Sequence, residues 1–114
     1  MAVTAELYYY DGFVAVNLLD PPLPHADVVS HPDGRDWPFD FSYDDEKFTL
    51  GEREFLGIEV LDVSFITDYW LAELDKVDLP RVDVPEAGLV DVTIADVLRW
   101  ARQTYPSRYS SATA

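Results

Sequence analysis

The chain contains no cysteine and only eight basic residues against 22 acidic ones. The missing cysteine excludes disulfides, thiolate metal ligation and a cysteine nucleophile. The shortage of lysine and arginine leaves a net charge of −14 on 114 residues. Such a surface repels nucleic-acid phosphates and anionic membranes and favours basic protein partners. No apolar run approaches the roughly 20 residues that cross a bilayer. No basic segment precedes an apolar one near Met1, so no signal peptide is expected and the reading is a cytoplasmic protein. The five glycines stand singly, which leaves no glycine-rich phosphate loop, and there is no Gly-x-Ser-x-Gly elbow.

What is present supports folding. Hydrophobic residues make up 48% of the chain and aromatics 14%, well away from disordered compositions despite the charge. The length suits one domain, expected over residues 1–106, with the small, polar residues 107–114 as a frayed tail. The charge is uneven: residues 1–66 hold 14 acids against Arg35, Lys47 and Arg53, whereas Arg99, Arg102 and Arg108 near the end meet no acid after Asp96.

The clearest local signal is a β-hairpin. Glu6-Leu-Tyr-Tyr-Tyr10 and Phe13-Val-Ala-Val-Asn-Leu-Leu19 flank Asp11-Gly12, a pair that tolerates the positive φ angles of a type I′ turn. A two-residue loop pairs Tyr10 with Phe13, Tyr9 with Val14 and Tyr8 with Ala15. Leu7, Tyr9, Val14 and Val16 then share one face, and Tyr8 and Tyr10 the other. Asp20-Pro-Pro-Leu-Pro24 ends the second strand. Residues 26–30 form a short candidate strand, followed by a turn at His31-Pro-Asp-Gly34.

Residues 37–43 alternate: Trp37, Phe39, Phe41 and Tyr43 on one side, Asp40 and Ser42 on the other. Two readings stay open. The aromatics are partner-binding anchors with carboxylates that steer a basic protein, or they are core with the carboxylates in water. Either way, Asp33, Asp36, Asp40, Asp44, Asp45 and Glu46 are the candidate partner-binding residues. They lack calcium-loop spacing, and His25 and His31 beside prolines form no recognised ligand pattern, so no metal and no cofactor is expected.

Residues 55–66 are a long β-like run whose phase changes. A bulge near Val60-Leu61 would turn Leu56, Ile58 and Val60, then Leu61, Val63 and Phe65, toward the core, leaving Glu59 and Asp62 in water. Helices are expected near 68–77, capped by Thr67 or Asp68, and near 94–105, opened by Thr93 with Asp96 in a capping box and stopped by Pro106. Short extended pieces lie between them. Trp100 with Arg99 and Arg102 is either a docking face or the edge of the core.

Tyr10-Asp11 with the strand from Phe13 to Leu19, and Gly57-Ile-Glu-Val-Leu-Asp-Val-Ser64, resemble the Tyr-Asp opening and Gly-Ile-Glu-Ile-Leu-Asp-like strand of a small bacterial β-rich domain family of unknown function. The resemblance covers about half the chain and implies a small sheet-based domain without an assigned activity. The Pro- and Asp-rich middle and the two-helix end depart from that family's compact form.

The expected fold is α+β: a small, twisted, mainly antiparallel sheet from residues 6–66 with two helices packed on one face. The leading functional reading is a non-enzymatic acidic module that binds a basic protein, as inhibitors, antitoxins and immunity proteins do. The alternatives are a DNA mimic that occupies a nucleic-acid-binding protein, a small ligand-binding domain or enzyme, and a structural or phage assembly component. Tyr8, Tyr10 and Trp100 are possible homodimer contacts.

Overall fold

The computed structural model describes residues 2–18, 26–29, 34–44 and 55–109, with backbone alone for 26–29 and Asp44. Seven strands are defined, β1 (Val3–Tyr10), β2 (Phe13–Leu18), β3 (Ala26–Val29), β4 (Phe39–Asp44), β5 (Phe55–Val60), β6 (Val82–Val84) and β7 (Leu89–Val92), with helices α1 (Asp68–Leu74) and α2 (Ile94–Thr104). The sheet runs β3-β4-β5-β2-β1-β6-β7. Every pairing is antiparallel except β1 with β6, where Val3 lies beside Val82. This is the expected α+β class. The sheet is wider than expected, because residues 82–92 continue it past β1. A parallel neighbour needs a long crossover, here carried through α1, and such pairing leaves little trace in a three-residue strand.

The hairpin forms in the anticipated register, Tyr10 with Phe13, Tyr9 with Val14 and Tyr8 with Ala15. Asp11 and Gly12 adopt φ of 45° and 90°, as a turn with two left-handed residues requires. The register places Ala5, Leu7 and Tyr9 of β1, Val14 and Val16 of β2, Ile58 and Val60 of β5 and Phe39 and Phe41 of β4 on one inner face. These residues belong to one hydrophobic cluster that also takes Leu71 and Leu74 of α1 and Ile94, Val97, Leu98 and Ala101 of α2. Phe39 and Phe41 are fully buried. Burying side chains of this size stabilises the fold by about 1.5–3 kcal/mol each.

The bulge lies at the opposite end of β5 from the one expected. Ser42 pairs with Gly57 and Tyr43 with Phe55, so Leu56 is the additional residue and Phe55 is turned onto the inner face. At the Val60 end the strand simply stops. A 3₁₀ turn over Val63–Phe65 follows, in which Val63 and Ile66, three residues apart, reach the core while Leu61 and Phe65 are exposed. Asp62, expected in water, is completely buried.

Thr67 caps α1, accepting from the Trp70 amide, and the helix ends at Leu74. The expected continuation to Val77 is a tighter turn, with the Lys76 and Val77 amides donating to the Glu73 and Leu74 carbonyls. The Thr93–Asp96 capping box opens α2 with both reciprocal bonds, at 3.1 and 3.3 Å. Trp100 packs at the margin of the core against Tyr105, and Arg102 holds the Ile66 carbonyl and the Asp68 carboxylate. Among the described residues, no helix is long and apolar enough to cross a membrane.

Candidate protein-binding face

The six acids singled out from the sequence have different positions. Asp33, Asp45 and Glu46 lie outside the described residues, and Asp44 closes β4 with only its backbone described. Asp36 is exposed in the approach to β4. Asp40 is half-buried and points to the outer face, opposite Glu59 on β5. Two like charges directly opposite on neighbouring strands repel. Burial, and then the Asp40 charge, raise the Glu59 carboxyl above its ordinary range. The place of Glu59 beside Asp40 comes from β4–β5 pairing, which the sequence does not display; only its parity in β5 points to an outward side chain.

The aromatic question resolves in favour of the core. Trp37, Phe39, Phe41 and Tyr43 are all buried, and burial pushes the Tyr43 phenol up. Trp37 packs edge-on to Phe41 at 5.4 Å and lies 4.7 Å from Trp70 of α1. The Arg35 guanidinium stands 4.8 Å over Trp37 and reaches Glu73, whose carboxyl is lowered by the hydrogen bond from Lys76 and then by that from Arg35. This cluster therefore closes the β4–α1 side of the protein.

Exposed aromatics stand elsewhere on the sheet. Tyr8 and Tyr10 project from β1 on the outer face, 51% and 69% exposed. Phe13, beside Tyr10 in the register, makes an edge contact with Tyr8 at 6.1 Å. Leu61, just past the last β5 pair of Val14 with Val60, is 62% exposed. Two adjacent rows result. Tyr10 and Phe13 form an aromatic pair near the hairpin tip, and Tyr8, Ala15, Glu59 and Asp40 form the next row, roughly 7 Å along the strands. Glu6 and Asn17 continue the face. No lysine, arginine or histidine occupies a described outward position of β1, β2, β4 or β5.

Asp62 is a different kind of carboxylate. It accepts from the Ser64 amide at 2.8 Å, the Ser107 hydroxyl at 2.6 Å and the Arg108 amide at 2.8 Å. Burial alone would raise its carboxyl; the hydrogen bonds from Ser107, Ser64 and Arg108 outweigh that and hold it at about 2. A β-carbon on Gly12 would stand 2.1 Å from Asp62 Oδ1, so the hairpin turn can close on this carboxylate only with glycine there. Residues 107–109, which composition assigns to a frayed tail, are thus tied to the body, helped by the Tyr9 hydroxyl donating to the Pro106 carbonyl and by Tyr9 stacking on Tyr105 at 4.1 Å. Residues 110–114 lie outside the described residues.

A depression of about 150 Å³ lined by Leu74, Val77, Leu79, Arg81, Thr93 and Ile94 lies between the end of α1 and the start of α2. It is smaller than the roughly 300–1,000 Å³ of ordinary small-molecule sites. His25 and His31 are outside the described residues, among which no three histidine, cysteine or acidic side chains converge as metal ligands do. Comparison with known protein families, curated proteins and solved structures finds no match. The functional reading therefore rests on this chain's own residues.

Proposed function

We propose that this protein is a non-enzymatic acidic binding module that engages a basic protein partner, in the manner of an inhibitor, antitoxin or immunity protein. The observation that carries the reading is the outer sheet face, which holds exposed Tyr8 and Tyr10 together with the carboxylates of Asp40 and Glu59. Interfaces commonly combine aromatic anchors with a charged rim, and the charge sets association rate and partner choice. A net charge of −14 adds long-range attraction for a cationic surface.

The test is capture of binders from nuclease-treated lysate, followed by association kinetics of the captured protein at increasing salt. The reading expects a basic partner whose association slows steeply with salt. Replacing Asp36, Asp40, Asp44 and Asp45 by Asn should slow association about tenfold at low ionic strength and flatten the salt dependence. Unchanged association would remove electrostatic steering from the account. Displacement of the partner by duplex DNA would favour the DNA-mimic alternative.

A further inference from the structure

We infer, independently of the proposed function, that residues 105–109 are a strap latched on the Asp62 carboxylate. The strap opens as one unit while the sheet and helices stay folded, and the hairpin turn at Asp11-Gly12 loosens with it. The latch is a conformational device that couples the two ends of the chain's folded body.

Three segments far apart in sequence meet at this one carboxylate. From the 3₁₀ turn, the Ser64 amide donates to Asp62 Oδ2 at 2.8 Å. From the strap, the Ser107 hydroxyl donates to Oδ2 at 2.6 Å and the Arg108 amide to Oδ1 at 2.8 Å. From the hairpin, Gly12 lies so close that an added β-carbon would stand 2.1 Å from Oδ1 and 2.9 Å from the Arg108 amide nitrogen. The Val63 amide then donates to the Gly12 carbonyl at 2.9 Å, which fixes the hairpin turn to the residue next to Asp62. Both strap donors depend on a group that the turn and the 3₁₀ segment hold in place.

The strap is separable from the core. The Tyr105 amide closes α2 on the Ala101 carbonyl at 2.8 Å, and Pro106, which has no amide hydrogen, ends the helical ladder there. The buried side chains of α2 stop at Ala101, and Pro106, Arg108 and Tyr109 are exposed. Beyond Asp62, the strap is held by contacts at the surface. The Tyr9 hydroxyl donates to the Pro106 carbonyl at 2.7 Å, the Tyr9 and Tyr105 rings stack at 4.1 Å, Arg108 meets Asp11 at 3.4 Å and Tyr109 lies 6.3 Å from Phe65. Segments held in this way open at a lower free energy than the whole fold. Coupling through a shared group is reciprocal, so whatever loosens the strap loosens the turn.

The experiment is native-state amide exchange followed by NMR on the full chain at neutral pH and increasing low urea. It compares the parent with Ser107→Ala, which removes the hydroxyl bond to Asp62 and leaves every group of the hairpin in place. In the parent, the Ser64, Val63 and Arg108 amides should share one opening with weak urea dependence, while the paired amides of β2 and β5 follow global unfolding and depend steeply on urea. Ser107→Ala should speed exchange of all three by a common factor of about ten or more, the size expected for a hydrogen bond to a charged group. The Asp91 amide, held by Asp83 in the β6–β7 pair, serves as the control and should not change. Tyr9→Phe, which keeps the ring and loses the bond to Pro106, should speed the same three amides severalfold.

Urea dependence at Arg108 as steep as that of β2 would overturn the strap, since it would then open only with the whole fold. Faster exchange at Arg108 with Val63 and Ser64 unmoved would overturn the coupling to the hairpin turn. No change at Arg108 in Ser107→Ala would overturn the latch itself.

Discussion

Asp62 and Glu59 are three residues apart, and the fold treats them in opposite ways. Asp62 is the more deeply buried, yet its carboxyl is held at about 2 because Ser107, Ser64 and Arg108 all donate to it. Glu59 is only half-buried, yet its carboxyl is raised, by burial first and by Asp40 second. Burial alone does not decide the state of a carboxylate; the donors around it do. Where the chain supplies its own donors, the acid is part of the framework. Where the chain sets one acid opposite another, burial and the neighbouring charge act in the same direction and the carboxyl is raised.

The same contrast holds for the two faces of the sheet. The inner face presents Phe39, Phe41, Val14 and Val16 to the helices, and the outer face presents Tyr8 and Tyr10 to solvent. Substitutions should separate the two. The largest loss is expected for Phe41→Ala, about 3–5 kcal/mol by urea unfolding, because the residue is fully buried between Trp37 and the sheet. A loss under about 1 kcal/mol would mean that this side chain is not in a packed core.

Asp62→Ala comes next. It leaves two amides and a hydroxyl without their acceptor, and the expected destabilisation is about 2–3 kcal/mol. Faster amide exchange at Arg108 should accompany it. Exchange unchanged there would show that the end of the chain is held by other contacts.

Acid titration isolates the charge of Asp62. Its folded value, about 2, lies below the ordinary 3.8, so the stability it adds is complete above pH 3.8 and is lost as pH falls from there through about 2. Asp62→Asn should flatten unfolding midpoints over that window relative to the parent. Parallel curves would contradict the hydrogen-bonded geometry.

Glu59→Gln should have the smallest effect and the opposite sign. A carboxyl raised in the folded state loses stability as pH rises from its unfolded value of 4.5 through the folded one, so removing the charge should leave the protein equal or slightly more stable at neutral pH. Solvent screening keeps the change within about 0.5 kcal/mol. A clear destabilisation would show that Glu59 makes a structural bond.

These contrasts also mark how far the sequence is readable. Local rules placed the hairpin to the residue, because Asp11-Gly12 defines both turn and register, and placed α2 through its Thr93–Asp96 box. The alternation of Trp37, Phe39, Phe41 and Tyr43 identified one face correctly but was silent on what covers it; Trp70 of α1, far along the chain, does. The fate of Asp62 depends on Ser107 and Arg108, more than forty residues away. The pairing of Asp40 with Glu59 depends on the β4–β5 register and its bulge. Non-local contacts of this kind leave no periodic trace, which is why the acidic residues of 33–46 were visible as a group while Glu59 was not.

The most direct test of the account is the urea unfolding midpoint of the triple variant Tyr8→Thr/Tyr10→Thr/Glu59→Gln beside that of the parent chain. Threonine keeps strand propensity while removing the rings. If the outer face is surface and not part of the core, stability should change by less than about 1 kcal/mol. A loss of several kcal/mol, comparable with Phe41→Ala, would contradict the division between an inner face that holds the fold and an outer face that carries little of its stability.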